Sequence, residues 1–301
     1  MKGKPRLLLE YCLAHILSSV SRRSSWNGLL LLGSCLGRLL FVFSPERRGI
    51  ALNNIRNALN IEDDKEIEDI ALRSFKSFFL SYLEIQKIQS RFKEGDDLDE
   101  INDVKGIFLR AKEIHDESRG CIFVTPHIGN WELLPYIFSV VDVALAVVVR
   151  PLDNPYLERI LNREASNQMV VSRGGSILLL KRLLKGGRSI GMLPDQSTMK
   201  GLSIDFFGRK AMTTPLPAIL AIDCKRPIVV VSCCRGDKHL EGFVSEPIQP
   251  YPNNNKRDEI IRITLEMNRV MEGIIRRYPD QYLWMHNRWK VYRKKREFLS
   301  K

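Results

Sequence analysis

Several signatures are missing from this 301-residue chain, and each absence removes a class of chemistry. Neither G-x-G-x-x-G nor G-x4-G-K-[ST] occurs, so the usual glycine-rich cradles for dinucleotides and nucleoside triphosphates are excluded. There is no G-x-S-x-G elbow: the nearest match, Gly33-Ser34-Cys35-Leu36-Gly37, lacks the spacing and lies in an apolar N-terminal stretch, which argues against covalent serine catalysis. The six cysteines (Cys12, Cys35, Cys121, Cys224, Cys233, Cys234) form no C-x-x-C and no paired zinc-knuckle spacing. Most sit in apolar runs and read as buried, reduced thiols facing a cytosolic compartment, so neither a metal nor a cofactor is expected. Zinc-finger spacing, RNP-like sequence and aromatic-interleaved basic strands are lacking too, which argues against a nucleic-acid partner. Internal repeats and low-complexity tracts are absent.

What is present begins with charge. The formal net charge is +12, and it belongs to the two ends. Residues 1–48 carry eight Lys/Arg against two Glu, and residues 284–301 carry seven against one, so the 235 residues between sum to zero. Basic ends around a neutral body suit an anionic membrane surface or phosphorylated headgroups, each Lys or Arg near such a surface contributing about 1 kcal/mol. Two apolar stretches, Leu7 to Val20 and Leu29 to Phe43, flank Ser21-Arg22-Arg23-Ser24-Ser25. The second is interrupted by Arg38 and falls short of the roughly 20 residues that cross a bilayer core, and no small-residue cleavage site follows either run. The expectation is an amphipathic helical pair in one leaflet, with Trp26 and the arginines at headgroup level. A tilted span, or helices simply packed on the core, are the alternatives.

The 44% apolar content supports one large domain, here 49–301, behind a membrane-associating segment, 1–48. Residues 63–87 show helical spacing (Ile67, Ile70, Ala71, Phe75, Phe78, Phe79, Tyr82) with acids at the start, a face suited to the core, with Phe78 and Phe79 also able to line an acyl channel. Strands are expected at 121–124, 144–149, 169–171, 189–193 and 228–233, with helices near 155–165, 177–185 and 216–223, then a long amphipathic helix at 257–276. Strands alternating with helices predict an α/β fold with a largely parallel central sheet flanked by helices. His127, Arg150 and Asp195 each follow a predicted strand end, and in such a sheet those ends share one edge, where ligands gather.

The most informative stretch is CIFVTPHIGNWELLPY, Cys121 to Tyr136. It reads as strand, tight loop and helix, with Asn130 as N-cap and Glu132 in the first helical turn. His127 then lies in the loop, where Glu132 can meet it. A carboxylate on one imidazole nitrogen fixes the tautomer and leaves the other nitrogen to take a proton, a general-base arrangement. Taken alone, the H-x4-E spacing equally suits a turn histidine followed by an acid favoured by the helix dipole.

The flanking residues carry more. PHIGNWE resembles the H-x4-D/E motif of glycerolipid acyltransferases, in the form typical of the bacterial lipid A biosynthesis acyltransferases. RPLDNPYLERI (150–160), LPDQST (193–198), DFFGRKAMTTPLPAILA (205–221) and QYLWMHNRWK (281–290) are similar to that family's later blocks, in its order, and ALNNIRNAL (51–59) to an N-terminal one. The resemblance implies an acyltransferase of glycerolipid-acyltransferase-like fold, with an N-terminal anchor, at the cytoplasmic face of the cell inner membrane. It implies acyl carrier protein as acyl donor and a phosphorylated lipid A precursor as acceptor. His127 and Glu132 become the catalytic pair, and Asn130, Arg150, Arg163, Asp195, Gln196 and Arg209 the substrate-binding residues. Arg163 aligns less closely, since Ser166 stands where the family has a glycine. Gly208 is expected to allow close backbone approach, and Pro215 to open the following helix. Lysophospholipid or mannoside-type acceptors, thioester hydrolysis, and a non-catalytic membrane-surface binding protein are the other readings.

Overall fold

The computed structural model describes residues 4–94, 98–149, 154, 168–172, 177–237, 239–251 and 255–292. Five helices lead: α1 Lys4–Arg23, α2 Trp26–Phe43, α3 Pro45–Leu59, α4 Asp64–Glu94 and α5 Asp99–Ser118. The α/β region follows with β1 Ile122–Val124, a 3-10 turn Trp131–Leu133, α6 Leu134–Val140, β2 Leu145–Val149, β3 Met169–Ser172, α7 Ile177–Lys185 and β4 Ser189–Met192. Then come the hairpin β5 Leu202–Phe206 and β6 Arg209–Thr213, α8 Leu216–Cys224, β7 Ile228–Arg235, β8 Leu240–Val244, α9 Lys256–Arg277 and a 3-10 turn Pro279–Gln281. The helix predicted near 155–165 lies outside the described residues.

Six strands form one sheet in the order β3-β2-β4-β1-β7-β8, parallel except for β8, which runs antiparallel to β7. This is the predicted α/β sheet. Both faces are covered, and β1 shows how. Ile122 and Val124 enter a core shared with α3, α4, α8 and α9, whereas Phe123, between them, enters a second core built with α5 and α6. Side chains of a strand alternate across the sheet, so three consecutive apolar residues are stable only where both faces are dry. Parallel order places the carboxyl ends of β1, β2, β4 and β7 along one edge.

The elements 45–59, 99–118 and the β5–β6 hairpin were not expected from the sequence. The hairpin turn contains Phe207 and Gly208, both at positive φ (54° and 69°), and a Cβ on Gly208 would meet nothing within 4 Å. Gly208 therefore turns the chain and does not admit a close backbone approach. Pro215 precedes α8 as its N-cap residue, one position earlier than expected.

At the N-terminus, α2 spans 18 residues with mean hydropathy 1.6, and among the described residues it is the one helix long and apolar enough to cross a membrane. Its stripe Leu29, Gly33, Gly37 and Phe41 is buried, with Gly33 and Gly37 set directly against α4. The opposite face leaves Leu31 and Phe43 mostly exposed, and α1 likewise exposes Leu9, Leu13 and Ile16. Packing on the body and an outward apolar face thus coexist. Trp26 is half-buried against both neighbouring clusters, with Lys87 over its ring at 5.6 Å, so it faces the body as much as any headgroup. Phe78 packs against the main core, in edge-to-face contact with Phe79 at 5.4 Å, and neither ring lines the pocket described below.

A Cβ on Gly37 would stand 2.5 Å from the Lys76 backbone, whereas one on Gly49 in α3 would meet nothing within 4 Å. Gly37→Ala should therefore destabilise by about 1–3 kcal/mol through forced separation of α2 from α4. Gly49→Ala should stabilise by up to about 1 kcal/mol through helix propensity. Thermal melts in one detergent should show the opposite signs.

Candidate active site

The site is set by strand register. Strands β1 and β4 are adjacent and parallel, with Val124 opposite Met192. His127 and Asp195 each lie three residues beyond those partners, so they emerge side by side at the sheet's carboxyl edge. His127 Nδ1–H donates to Asp195 Oδ1 at 2.6 Å, and the His127 backbone N–H donates to Asp195 Oδ2 at 2.9 Å. Both carboxylate oxygens therefore accept from His127. The Asp195 side chain is 2% exposed and that of His127 16%.

This corrects two expectations. The carboxylate at Nδ1 is Asp195, not Glu132, because the segment after the loop starts as a 3-10 turn and the register brings β4's end to the ring. Glu132 is half-buried and lines the same pocket as His127. Asp195 was expected to bind substrate, yet it lies beneath the imidazole. Burial works to raise its pKa, but the charge and hydrogen bonds of His127, with Arg288 nearby, outweigh this and hold it below the ordinary carboxylate value. Asp195 is an anion at neutral pH.

With Nδ1 protonated, Nε2 carries the lone pair. It accepts a 3.3 Å hydrogen bond from the side-chain amide of Gln196, a residue that also lines the pocket. At that length the contact is weak enough for a substrate hydroxyl to replace it. The pocket holds about 280 Å³, with one apolar wall from Val147, Val148, Met192 and Leu216 and another from Trp131, edge-on to His127 at 5.3 Å. A mostly apolar cleft with one convergent base suits a hydrocarbon chain carrying a reactive carbonyl.

The segment 282–289 closes the back of the site. Leu283 N–H donates to the His127 carbonyl at 3.0 Å, and Ile128 bridges to Tyr282. Burial, and then the Asp195 charge, raise the Tyr282 phenol well above its ordinary pKa, so it stays protonated. His286 is pushed down to about 4, mainly by burial, and its neutral Nε2 accepts the Ser197 N–H at 3.2 Å. Arg288 is buried, with donors on the Met212 carbonyl (3.0 Å) and Thr213 Oγ1 (2.6 Å). These three residues were not singled out individually in the sequence, although their block was.

Asn130 is fully buried and makes no capping hydrogen bond. Its amide donates to Glu84 at 2.8 Å, so it is turned away from the pocket and cannot bind substrate there. Arg209 stacks over Trp289 at 4.8 Å and is not among the residues lining the pocket. Arg150 and Arg163 lie outside the described residues. Among the described residues no group of three or more His, Cys, Asp or Glu could hold a metal ion. Carboxylate, imidazole and apolar cleft together can deprotonate a hydroxyl beside a bound acyl group.

Comparison with known proteins identifies the family. The lipid A biosynthesis palmitoleoyltransferase of Escherichia coli (strain K12) is 24% identical over 274 residues, covering 87% of this chain and 85% of the relative. A lipid A biosynthesis acyltransferase of Shigella flexneri matches with the same figures. The E. coli lipid A biosynthesis lauroyltransferase is 22% identical over 271 residues, covering 86% and 84%. The profile of the family described as bacterial lipid A biosynthesis acyltransferase matches residues 24–291, and the chain therefore belongs to that family and is an acyltransferase.

Proposed function

We propose that the protein transfers a fatty acyl chain from an acyl carrier protein thioester to a free hydroxyl of a lipid A precursor. His127 Nε2 takes the acceptor proton as the oxygen attacks the thioester carbonyl. The carbon–sulfur bond then breaks, and the imidazolium returns the proton to the departing thiolate. Asp195 holds the ring's tautomer and stabilises the imidazolium, and Glu132 is assigned as a second carboxylate of the same pocket. Arg150, Arg163 and Arg209 are assigned to phosphate groups of the acceptor, because guanidinium forks match phosphate oxygens.

The observation that carries this reading is the single ring orientation, with Nδ1 bound to a buried carboxylate and Nε2 directed to the apolar pocket. The names of the relatives support a lipid A-type acceptor. Mass spectrometry of products from purified protein, acyl carrier thioester and a lipid A precursor with free hydroxyacyl hydroxyls, lysophospholipid or mannoside tests it. An acylated lipid A precursor is expected; free fatty acid alone, or acylation of another acceptor only, would reject it.

Residues 1–48 are assigned to membrane association at the cytoplasmic face of the inner membrane, and 49–301 to acyl transfer. Exposed apolar side chains of α1 and α2, such as Leu9, Leu13, Leu31 and Phe43, support insertion, and the basic ends support an anionic surface. Exposed charges are screened by salt and inserted hydrocarbon is not, so high salt should release only part of the protein from membranes. Full recovery in the soluble fraction at low salt without detergent would remove the assignment.

A further inference from the structure

Beneath the loop that carries His127 lies a buried polar assembly that never touches the pocket. Glu84 of α4 and Arg235 of β7 form a two-pronged ion pair, Nε to Oε1 at 2.9 Å and Nη2 to Oε2 at 2.7 Å, with side chains only 11% and 17% exposed. Arg235 also donates to Ser77 (2.9 Å) and Ser81 (2.7 Å). Two contacts lead from this assembly to the loop, and a third comes from the β7 backbone. Asn130 Nδ2 donates to Glu84 Oε2 at 2.8 Å, Ser81 Oγ reaches the Gly129 carbonyl at 2.7 Å, and Asn130 N–H donates to the Cys233 carbonyl at 2.8 Å. The loop lies so close to β7 that a Cβ on Gly129, at φ +57°, would fall 2.2 Å from the Cys233 oxygen.

Stability alone gives a weak reason for burying an ion pair there, since well-packed apolar residues commonly serve a fold as well or better. A fixed charge pair does supply directional contacts that leave the loop one position. We propose that Glu84, Arg235, Asn130 and Ser81 are positioning residues for acyl transfer. They fix the backbone at 129–130 and so set the distance and angle at which His127 meets Asp195. The inference rests on the reading of His127 as general base.

Three variants test it in the full-length protein, with turnover measured per folded molecule. Asn130→Asp sets a carboxylate against Glu84 and should lower kcat by at least about tenfold, with KM for the acyl donor changed less than about twofold, because a misplacement near 1 Å is enough for such a loss. Adding Glu84→Gln reverses the hydrogen bond and removes the like-charge repulsion, while giving up the Arg235 Nη2 contact to Oε2, so the double variant should regain part of the lost kcat. Ser81→Ala deletes one hydroxyl. It should reduce kcat several-fold by loosening the His127–Asp195 contact, with KM for the acyl donor again changed less than about twofold.

Folded Asn130→Asp and Ser81→Ala proteins with wild-type kcat would overturn the inference, as would a double variant no better than Asn130→Asp. Should Asn130→Asp lack a cooperative melt, the smaller Ser81→Ala change decides by the same criteria. His127→Ala separates the two levels. If it is inactive while the positioning variants are normal, only this inference falls; if it is active, the base falls as well.

Discussion

His127→Ala should abolish acyl transfer while leaving a folded protein. General-base catalysis contributes typically 10²- to 10⁴-fold, about 2.7–5.4 kcal/mol of barrier, and no neighbouring group is placed to substitute. His286 is the other histidine near the site, but its Nε2 is occupied by the Ser197 N–H and burial lowers its pKa to about 4, making it a poor base. Glu132 lies on the pocket wall, yet a carboxylate is a far weaker base than imidazole. The fold should survive because Asp195 keeps the residue-127 backbone N–H and the Arg288 charge, so the loss is one charge-assisted hydrogen bond, about 1.5–3 kcal/mol. Turnover by product mass spectrometry, alongside a melting curve, measures both.

The buried thiols argue against a covalent alternative through cysteine. Burial pushes the thiols of Cys121 and Cys234 up to about 12, and that of Cys233 higher still, so none is a thiolate at neutral pH. Near-normal turnover of His127→Ala, or an acyl group trapped on a serine or cysteine, would overturn direct attack.

The site was only partly legible in the sequence, for physical reasons visible at particular residues. His127 could be placed at a strand's carboxyl end because CIFV followed by proline and glycine is a strand-and-loop pattern. Its partner could not, since that requires knowing that β1 lies beside β4 with Val124 opposite Met192. Local sequence offered Glu132, five residues away. The sheet's long-range register supplied Asp195, 68 residues away. Asn130 illustrates the converse, because a good capping residue was recruited by Glu84 on α4, and tertiary hydrogen bonding overrode local preference.

Whole elements were hidden in similar ways. The hairpin turn uses Phe207 at positive φ, where Asn-Gly would be the usual signal, and Glu272 of α9 accepts the Phe207 N–H at 2.8 Å. In α3, Asn54 is a poor helix former, but its amide donates at 2.9 Å to the carbonyls of both Trp284 and His286. The distant segment that closes the site thus helps to hold the helix. The strands β1, β2, β4 and β7, by contrast, are apolar runs because both sheet faces are buried, so their existence was legible from apolar content while their order was not.

Asp195→Asn should be nearly as damaging as loss of the histidine, by about 10²- to 10⁴-fold in kcat. Asp195 accepts two hydrogen bonds from His127, one from Nδ1–H and one from the backbone N–H. Asparagine has only one oxygen to offer. If that oxygen takes the backbone N–H, the amide donates to Nδ1, the ring proton moves to Nε2, and the nitrogen facing the pocket can no longer accept the substrate proton. The variant therefore keeps the shape of the site and reverses the tautomer. Stability should change in a defined sense. Because the folded-state pKa of Asp195 is depressed, its ionisation stabilises the native protein above the unfolded carboxylate pKa, and that contribution is lost as pH falls through the folded value. The wild type should thus exceed Asp195→Asn in melting temperature at pH 7, with the gap narrowing under acid conditions. ¹⁵N NMR of the histidine side chains reports the tautomer directly. An Asp195→Asn protein with wild-type kcat, or with the His127 proton still on Nδ1 and activity lost, would show that Asp195 does not act by fixing the ring.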